Sequence, residues 1–590
     1  MSPALRPRYE WNQLPWTRIQ RQVFKLQRRI YRAAQRKDQR LVHRLQRLMM
    51  RSWYARLLAV RRVTQENRGK RTAGIDGIAK LVAKERLKLA RGITLSAKPK
   101  PVRRIWIDKR NGKEKRPLGI PVMADRARQA WVKLALEPEW EAKFEPNSYG
   151  FRPGRSAHDA IAAIFIAIVH KPKYVLDADI AQCFDRIDHQ ALLAKLKAPP
   201  RLRRLINCWL KAGVWDHGDW YPGTQGTPQG GVISPLLANI ALDGLETYLK
   251  EQFPSRASTR GGKFRRVPSV QVIRYADDFV VLHPELRVVQ AAKTATEQWL
   301  AQQGLTLKPS KTRIVHTLGA PGGDTGFDFL GFHIRQYPVS PRQNPKGYKT
   351  LIKPSKTAIR RHYQQLRYLI KAHRGKAQRS LIANLNHCIR GWSRYYSTVV
   401  SSHSFAWLDN LLQRLLLAWT RRRSDTLTGY QKMAQYWGID RGMGWVFCTR
   451  HNFRLVLHRE MPIKRHIKVR LDKSPFDGDW LYWASRRGNY PGTSTKVAQL
   501  LKQQQGRCAH CGLFFEAETP IEIHHVNRDR QQNQPGNLRA LHSHCHHQVH
   551  REETSLTTVS MTKTRFTEEP CEGKLSRTVL KPSGRGDSLA

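Results

Sequence analysis

Two adjacent aspartates in an apolar setting constrain this chain more than any other feature. Asp277 and Asp278 stand in the segment Val272-Ile-Arg-Tyr-Ala-Asp-Asp-Phe-Val-Val-Leu282, where β-forming residues precede and follow them. Such acids are not ordinary surface charges, so Tyr275-Ala-Asp-Asp278 predicts a tight turn between two strands. Buried carboxylates without an adjacent Lys or Arg repel each other, and a bound divalent cation is the usual remedy. By itself the tetrapeptide favours a hairpin with a solvated Asp-Asp turn, and only its combination with a second acidic segment reverses this.

A second acidic segment lies about 100 residues upstream, at Tyr174-Val-Leu-Asp-Ala-Asp-Ile-Ala-Gln-Cys-Phe-Asp-Arg-Ile-Asp-His189. Asp177 and Asp179 leave an apolar strand on the same side, so on chemistry alone either can bind metal beside Asp277. Carboxylates from two strands that hold two Mg²⁺ ions are suited to activating a 3′-hydroxyl and stabilising a leaving pyrophosphate. The pattern therefore predicts nucleotidyl transfer.

The charge of the chain indicates a polyanionic partner. Its 590 residues include 105 Lys+Arg against 45 Asp+Glu, a formal net charge of +60. A small-metabolite enzyme has no need of that excess, whereas a partner with many phosphates does. A solvated basic surface is the alternative, but such a surface usually mixes both signs of charge. We therefore expect contact with nucleic acid, and a long folded RNA fits best.

The cysteines indicate a metal site rather than a disulfide framework. Most are scattered singly, but Cys508-Ala-His-Cys511 and His542-Ser-His-Cys545 have the spacing that chelates tetrahedral Zn²⁺ from paired loops. Either His542 or His510 is the fourth ligand beside Cys508, Cys511 and Cys545. A purely structural zinc knuckle that binds DNA would explain the cysteines but not the other polar residues nearby, which are His524, His525, Asn537, His546 and His550.

Composition predicts a mixed α/β (α+β) multidomain chain. We divide it into a basic helical extension (1–80), an α/β unit (81–350), a helical region (351–435), a mixed basic segment (436–495), a Cys/His-rich module (496–552) and a disordered tail (553–590). The longest apolar run, Ala160 to Val169, is half of the roughly 20 residues that span a membrane. The N-terminus has no apolar signal stretch, so we expect a soluble cytoplasmic protein without a membrane partner.

The order of several motifs resembles the reverse transcriptases encoded by bacterial group II introns. The matching blocks are Thr72-Ala-Gly-Ile-Asp-Gly77, Arg116-Pro-Leu-Gly-Ile-Pro121, Ser148-Tyr-Gly-Phe-Arg-Pro-Gly-Arg155, the Asp179 and Tyr275 segments, Gly226-Thr-Pro-Gln-Gly-Gly-Val-Ile-Ser-Pro235, Gly304-Leu-Thr-Leu307 with Lys311-Thr312, and Phe329-Leu-Gly-Phe332. The resemblance runs from about Arg61 to His550. It implies a right-hand polymerase with fingers, palm and a helical thumb that doubles as an RNA-binding maturase region.

For the polymerase site, the family's spacing selects Asp179 over Asp177 as the partner of Asp277 and Asp278. Phe184 then corresponds to the aromatic that packs under the sugar and excludes a 2′-hydroxyl, although it could also be simple core. The resemblance further implies nucleotide contacts from Ile180, Gln229 and a basic group in the fingers, namely Arg103, Lys109 and Arg116 around a predicted Asn111-Gly112 hairpin. Any of these basic residues could instead be ordinary surface.

The thumb and C-terminal regions also resemble the family. Leu385-Asn-His-Cys-Ile-Arg-Gly-Trp-Ser-Arg-Tyr-Tyr396 resembles its maturase motif, in which Arg390, Trp392, Arg394 and Tyr395 would line an RNA groove unless Trp392 is core. The stretch Ile467 to Trp483 resembles its DNA-binding segment. The Cys/His module resembles an HNH endonuclease of the ββα-metal type, with His525 as general base, Asn537 orienting it, and His524, His546 and His550 as ligands of a divalent ion.

Together these resemblances imply a multifunctional intron protein that uses Mg²⁺ and structural Zn²⁺. Its partners would be group II intron RNA, in a lariat ribonucleoprotein, together with target DNA and deoxynucleotides. It would assist splicing, nick the second strand of the target and copy the intron from the new 3′ end during retrohoming. The alternative is a splicing-only maturase that acts as an RNA-binding cofactor without mobility.

Overall fold

The computed structural model describes residues 10–108, 115–260, 263–319, 325–423, 426–440, 442, 444–471, 473–489, 493–515, 521–529 and 532–558. They form two compact units. The first comprises the described residues up to 330 with 334–351 and 466–552, and the second comprises 331–333, 352–465 and the described residues from 553. Among all these residues we find no helix with the length and apolarity that a bilayer crossing requires.

Four helices begin the first unit. They are α1 (Trp16–Gln35), α2 (Gln39–Arg51), α3 (Trp53–Arg61) and α4 (Ala83–Gly92). Side-chain caps define two of the starts, because Asp38 accepts a hydrogen bond from the Leu41 N–H and Ser52 accepts one from the Ala55 N–H. The predicted helical character of the N-terminal segment is thus present in the structure.

The following segment alternates strands and helices. Its elements are β1 (Val102–Asp108), β2 (Lys115–Ile120), α5 (Met123–Glu141), α6 (Ala157–Ile168), β3 (Tyr174–Asp179), α7 (Cys183–Arg186), α8 (His189–Leu196), α9 (Pro200–Leu210), β4 (Val214–Asp216), β5 (Asp219–Tyr221), α10 (Ser234–Leu242), α11 (Leu245–Gln252), β6 (Arg256–Arg260), β7 (Lys263–Val267), β8 (Gln271–Tyr275), β9 (Asp278–His283), α12 (Leu286–Ala301) and β10 (Arg313–His316). Helix α5 anchors the N-terminal helices, since Gln27 donates to the Leu134 carbonyl and the Trp131 ring N–H donates to the Met49 carbonyl.

Two four-stranded sheets position the polar residues of this segment. One has the order β2-β1-β4-β5, in which β1 and β4 are parallel and the other pairs are antiparallel. The other has the order β10-β3-β9-β8 and is antiparallel throughout. Helix α12 packs on β3 and β9. An antiparallel sheet covered by helices confirms the predicted α+β class.

Three short strands, β11 (Phe327–Phe329), β12 (Phe332–Pro338) and β13 (Tyr348–Pro354), form a further sheet in that order. They lead into the second unit, which is mainly helical as the sequence predicts. Its elements are α13 (Lys356–Ala372), α14 (Gln378–Tyr396), α15 (Ser402–Arg421), α16 (Gly429–Tyr436) and the hairpin of β14 (Trp437–Asp440) and β15 (Gly444–Phe447).

The chain re-enters the first unit at His466. There it forms α17 (Trp480–Gly488), α18 (Thr495–Gln503), β16 (Ile521–His525), β17 (Leu538–His542) and α19 (Ser543–Thr558). The boundary between the compact units therefore falls inside the predicted segment 436–495. Residues up to 465 belong to the second unit and those from 466 belong to the first. Helix α19 continues beyond residue 552, where we expected a disordered tail to begin, and the tail from 559 lies outside the described residues.

A buried carboxylate fastens the 466–489 segment to α6. Asp159 is fully buried, and its Oδ1 accepts from the Val469 N–H at 2.7 Å and from Arg486 Nη2 at 2.6 Å, with His466 Nε2 at 3.0 Å. Burial acts to raise the pKa of Asp159, but the hydrogen bond with His466 and the charge of Arg486 outweigh it and hold that pKa well below its usual range. Attachment of the segment thus depends on one ionised group.

We expect Asp159→Asn to loosen the 466–489 segment by about 3 kcal/mol, because it leaves the Arg486 charge buried without its counter-ion. The free energy of local opening, measured by hydrogen exchange of amides in 466–489, checks this. Since the folded pKa of Asp159 is lowered, its stabilisation is present above about pH 4, the unfolded pKa of Asp, and is lost as pH falls through the folded pKa.

Asp188→Asn is the matched control. Asp188 is exposed and caps α8 by accepting from the Ala191 N–H, a role that asparagine fills equally well. It should leave exchange in 466–489 unchanged. Equal protection in Asp159→Asn and in the unmodified protein would show that the ion pair does not hold the segment.

Candidate functional site

Three aspartates meet at one edge of the antiparallel sheet. Asp179 ends β3 and lies directly opposite Asp278, the first residue of β9. Asp277 stands in the two-residue turn between β8 and β9, in which Tyr275 pairs with Asp278. The predicted hairpin is therefore present, and it brings Asp277 and Asp278 to Asp179 from a distant part of the chain.

The tight turn depends on two unusual backbone positions. Ala276 has φ +58°, in the left-handed region that the first position of such a hairpin turn requires. Gly150 lies directly beneath it, and a Cβ at Gly150 would stand 2.3 Å from the Ala276 nitrogen. Gly150 in the Ser148-Tyr-Gly block is thus needed for the acidic turn to pack closely.

The carboxylates destabilise one another's charged forms. Burial, followed by the charges of Asp277 and Asp179, raises the pKa of Asp278 to about 7. Burial is also the main cause that raises the pKa of Asp277, and the charge of Asp179 adds to it. Acids arranged in this way favour a bound cation, since hard divalent ions prefer oxygen ligands.

Strand register separates Asp177 from Asp179. Each carboxylate contacts a basic side chain, Arg313 in one case and Lys311 in the other, so pairing with a cation does not distinguish them. Asp177 lies opposite Val280 on β9. Asp179 instead faces Asp278 across the strand pair. The geometry therefore favours Asp179 as the third acid, in agreement with the resemblance.

Lys311 is the residue at this edge that the sequence did not single out as a site residue. Its ammonium contacts the Asp179 carboxylate, which lies 132 positions earlier in the chain. Burial acts to lower the pKa of Lys311, but the hydrogen bond to Asp179 and the charges of all three acids outweigh it and raise that pKa. A lysine in the family block Lys311-Thr312 was the available signal, but spacing along the chain gives no indication of which acid it approaches.

Two of the predicted nucleotide-contact residues lie on the sheet of β1 and β2. Arg103 on β1 and Arg116 on β2 share one face of the β2-β1-β4-β5 sheet, and the charge of Arg116 acts on Asp277. Lys109 and the Asn111-Gly112 hairpin lie outside the described residues. The Gln229 carbonyl accepts from the Gly119 N–H at 2.6 Å, which fixes the glycine-rich loop against β2.

Phe184 and Ile180, two further predicted nucleotide contacts, differ in burial. Phe184 is half-buried and packs edge-on against Phe151, with ring centroids 5.9 Å apart, so it is not fully enclosed core. The Ile180 side chain is buried at 2% exposure. Its backbone N–H donates to the Asp277 carbonyl, so Ile180 supports the acidic turn directly.

In the second unit, α14 separates the predicted RNA-binding residues. Arg390 and Arg394 are exposed one helical turn apart, and burial together with the Arg390 charge lowers the pKa of Arg394. Trp392 instead stacks on buried His362 at 4.7 Å and 7°, and Tyr395 packs on Phe332 at 5.1 Å. Of the two interpretations of Trp392, its contacts support core packing.

At the C-terminus, β16, β17 and α19 form a ββα arrangement. His524 on β16 and His546 and His550 on α19 have ligand atoms within 4.8 Å of one another, so the structure brings the three predicted ligands together. Glu522 Oε2 lies 2.9 Å from His546 Nδ1, a carboxylate contact that orients an imidazole. Burial is the main cause that lowers the pKa of His546, which favours the neutral form that binds metal.

His525 and Asn537 are joined through the backbone. His525 is partly exposed, and its Nε2 lies 3.5 Å from Asn533 Oδ1. The Asn537 carbonyl accepts from the Val526 N–H, and its side-chain Oδ1 accepts from the Asn527 N–H. Asn537 thus fixes the turn that follows His525, and its role in orienting His525 stays a prediction.

Cys508, Cys511, His542 and Cys545 form a second cluster of potential ligands. Their ligand atoms lie within 4.8 Å of one another, and His542 Nδ1 is 3.3 Å from Cys511 Sγ. Three thiols and one imidazole suit a tetrahedral structural Zn²⁺. The cluster contains His542 and not the exposed His510, so the geometry favours His542 as the fourth ligand.

We expect Asp278→Asn to stabilise the metal-free protein at pH 8, by up to about 4 kcal/mol. The raised pKa of Asp278, about 7, means that the folded state loses stability as pH rises from about 4, the unfolded pKa of Asp, through 7. The amide removes this cost, so the gain should shrink as pH falls toward 4. Thermal unfolding in a chelator over a pH series checks it.

Asp219→Asn, at an exposed position of β5, is the control and should show no such gain, because an exposed carboxylate has little desolvation cost. A gain for Asp278→Asn that is the same at all pH values would mean that packing, and not carboxylate repulsion, is responsible.

Comparison with known proteins identifies the domains. Four family models match: the N-terminal domain of reverse transcriptase at residues 11–93, reverse transcriptase (RNA-dependent DNA polymerase) at 107–334, the group II intron maturase-specific domain at 359–437 and HNH endonuclease at 508–552. The polymerase, maturase and HNH matches fall in the regions where the sequence resembled those domains, whereas the N-terminal match covers a segment that we described only as a basic helical extension. The polymerase model covers the three aspartates at the sheet edge, and the HNH model covers the three-histidine cluster and the Cys/His cluster.

Similar full proteins support the same assignment. Protein YkfC of Escherichia coli K12 is 34% identical over 305 residues, which are 46% of this chain and 78% of that protein. The group II intron-encoded protein LtrA of Lactococcus lactis is 40% identical over 206 residues, which are 33% of this chain and 34% of that protein. The chain belongs to the group II intron-encoded reverse transcriptases and carries maturase-specific and HNH endonuclease domains.

Proposed function

We propose that the chain is an RNA-directed DNA polymerase whose reaction takes place at Asp179, Asp277 and Asp278. The observation that carries this is the convergence of three acids from two distant segments at one sheet edge, at the cost of mutual repulsion. The donor set fits two Mg²⁺ ions, which when bound would activate the primer 3′-hydroxyl and offset the charge of the departing pyrophosphate. Arg103 and Arg116 would orient the triphosphate by charge-assisted hydrogen bonds.

The second part of the proposal is that the chain binds group II intron RNA as a maturase. The exposed Arg390 and Arg394 of α14 support it, together with a net charge of +60 over the chain. Adjacent like charges on a surface repel until an anionic partner offsets them, and RNA phosphates supply that charge. Core packing of Trp392 leaves the electrostatic part of the predicted groove intact.

The third part is that the HNH domain nicks DNA during intron mobility. His525 would accept a proton from water, and His524, His546 and His550 would hold a divalent ion that, when bound, stabilises charge at the scissile phosphate. The new 3′ end would then prime copying of the inserted intron at the polymerase site. Both sets of residues are intact, which does not favour the splicing-only alternative, in which either set is free to decay.

We expect Asp179→Asn to reduce DNA synthesis on a primed RNA template by at least about 100-fold, because it removes a fixed charge from the metal site. Asp177→Asn is the matched control: the same substitution two residues earlier removes the pairing with Arg313 and leaves Asp179, Asp277 and Asp278 in place. It should keep activity within about threefold, since a partly exposed ion pair contributes little. Primer extension with purified protein measures both, and the opposite order of effects would assign the third acid to Asp177.

We expect His525→Ala to lose DNA nicking while bound zinc and DNA synthesis stay unchanged, because His525 is outside the Cys/His cluster. Cys508→Ala should lose both zinc and nicking, since the binding energy of a structural zinc is largely folding energy. Strand-specific cleavage of a labelled duplex and zinc content per chain are the measurements.

His542→Ala and His510→Ala form a matched pair for the fourth ligand. The first should lower zinc content and the second should not, because His510 is exposed and outside the cluster. Normal nicking by His525→Ala would refute His525 as the base, and zinc loss in that variant would show that the two groups of ligands have been confused.

A further inference from the structure

The segments that carry the Cys/His cluster pack against the polymerase part of the first unit. We call residues 506–515 and 542–545 the zinc knuckle, because they contain all four ligands of that cluster. Leu513 is 2% exposed and belongs to the hydrophobic core that the N-terminal helices and palm share. A residue of the nuclease domain is thus buried in the core of the polymerase part of the first unit.

Helix α1 binds the backbone of the zinc knuckle. The Thr17 hydroxyl donates to the Cys511 carbonyl at 2.9 Å, and the Phe514 N–H donates to the Gln20 side chain at 3.1 Å. Gly512 has φ +66°, and a Cβ there would stand 2.6 Å from Thr17 Oγ1. Close approach to α1 and the left-handed backbone both require glycine at this position.

An aromatic stack joins three segments of the chain. Trp480 of α17 lies between Phe24 of α1, at 4.5 Å, and Phe514 of the zinc knuckle, at 3.8 Å and 7°. The Arg507 guanidinium covers Phe514 at 3.9 Å. Stacked aromatic pairs and a covering cation each add favourable energy beyond the area they bury.

Arg61 supplies charge at the same interface. This last residue of α3 is 3% exposed, with its Nε 2.8 Å from Glu66 and its Nη2 2.8 Å from His544 Nε2. Its charge also acts on Cys511 and Cys545. Three thiolates around Zn²⁺ carry a net negative charge, so a buried arginine beside them is electrostatically matched. A charge of this kind has no obvious use in a nuclease domain that moves freely.

The zinc knuckle is directly adjacent in sequence to the nuclease site. Cys545, in the knuckle, immediately precedes His546, in the three-histidine cluster, and both lie on α19. Because α19 is a continuous helix, the contact of its His544 with Arg61 of α3 also fixes the position of His546.

We propose that Arg61 and Phe514 are positioning residues that hold the nuclease site at one place on the polymerase, so that the nick falls at a set position relative to the inserted intron. The proposal rests on the proposed function, because it assumes that both sites act on the same DNA. It assigns the N-terminal helices a role in DNA cleavage.

The first experiment tests docking without any activity. Zinc is removed from the full chain with a chelator, and hydrogen exchange is followed in α1. We expect exchange in residues 17–26 to accelerate at least tenfold, because loss of the knuckle uncovers that part of α1. Acceleration confined to residues 506–515 and 542–545, with α1 unchanged, would overturn the proposal.

The second experiment maps nick positions at single-nucleotide resolution. The full chain, reconstituted with its intron RNA, is given a labelled duplex of the joined sequences that flank the intron. Arg61→Ala and Phe514→Ala should keep DNA synthesis but spread the nicks over several positions and reduce the yield at the main one at least fivefold. Arg56→Ala is the matched control: Arg56 is also on α3 and covers Trp131 at 5.0 Å, away from the knuckle. It should leave one sharp nick.

Zinc content separates the outcomes. If Arg61→Ala loses zinc, Phe514→Ala decides, because Phe514 carries no charge that acts on the cysteine ligands. Nicks by both variants at the original position with the original sharpness would overturn the proposal. No nicking by the unmodified protein would count against the proposed function, and the exchange experiment would still decide on docking.

Discussion

Repulsion among three carboxylates is the constraint on which the polymerase part of the structure depends. Asp179, Asp277 and Asp278 are brought together by a strand register and a two-residue turn that the surrounding sheet and Gly150 enforce. Burial and the neighbouring carboxylates raise the pKa of Asp277 and that of Asp278, the latter to about 7. Lys311 offsets part of the charge at Asp179. Holding these acids together at one edge of the sheet therefore lowers the stability of the metal-free fold and forms a site for cations.

The sequence predicted the acids because their chemistry is visible locally. Two adjacent aspartates between β-forming residues already suggest a turn, and an apolar strand that ends in acids suggests its partner. The choice between Asp177 and Asp179 required either the family spacing or the strand register, which sets Asp179 and not Asp177 opposite Asp278. Residue spacing does not encode tertiary structure. It therefore could not predict that Lys311 lies near Asp179, or which residues surround the two clusters of potential metal ligands.

Aromatic residues were harder to interpret than charged ones for a physical reason. A tryptophan on a basic helix can stack on a base or on a neighbouring side chain, and both uses have the same local sequence. Trp392 proves to stack on His362, whose buried partner His458 lies 96 positions away. Arg390 and Arg394 could be assigned to the surface from the helical period alone, because burying an unpaired charge is costly.

The acidic site and the zinc knuckle differ in how the fold supports their ligands. At the polymerase edge, oxygen ligands are held close before any cation arrives, so part of the binding energy offsets a repulsion already present in the fold. In the zinc knuckle, Cys508 and Cys511 come from one loop, His542 ends β17 and Cys545 lies on α19. Part of the packing comes from outside the nuclease domain, because Leu513 joins the core of the N-terminal helices and palm and Phe514 stacks on Trp480. Because such a module obtains stability from its neighbour, its position becomes part of the fold. A nuclease that needed to search freely would instead bury these side chains within itself.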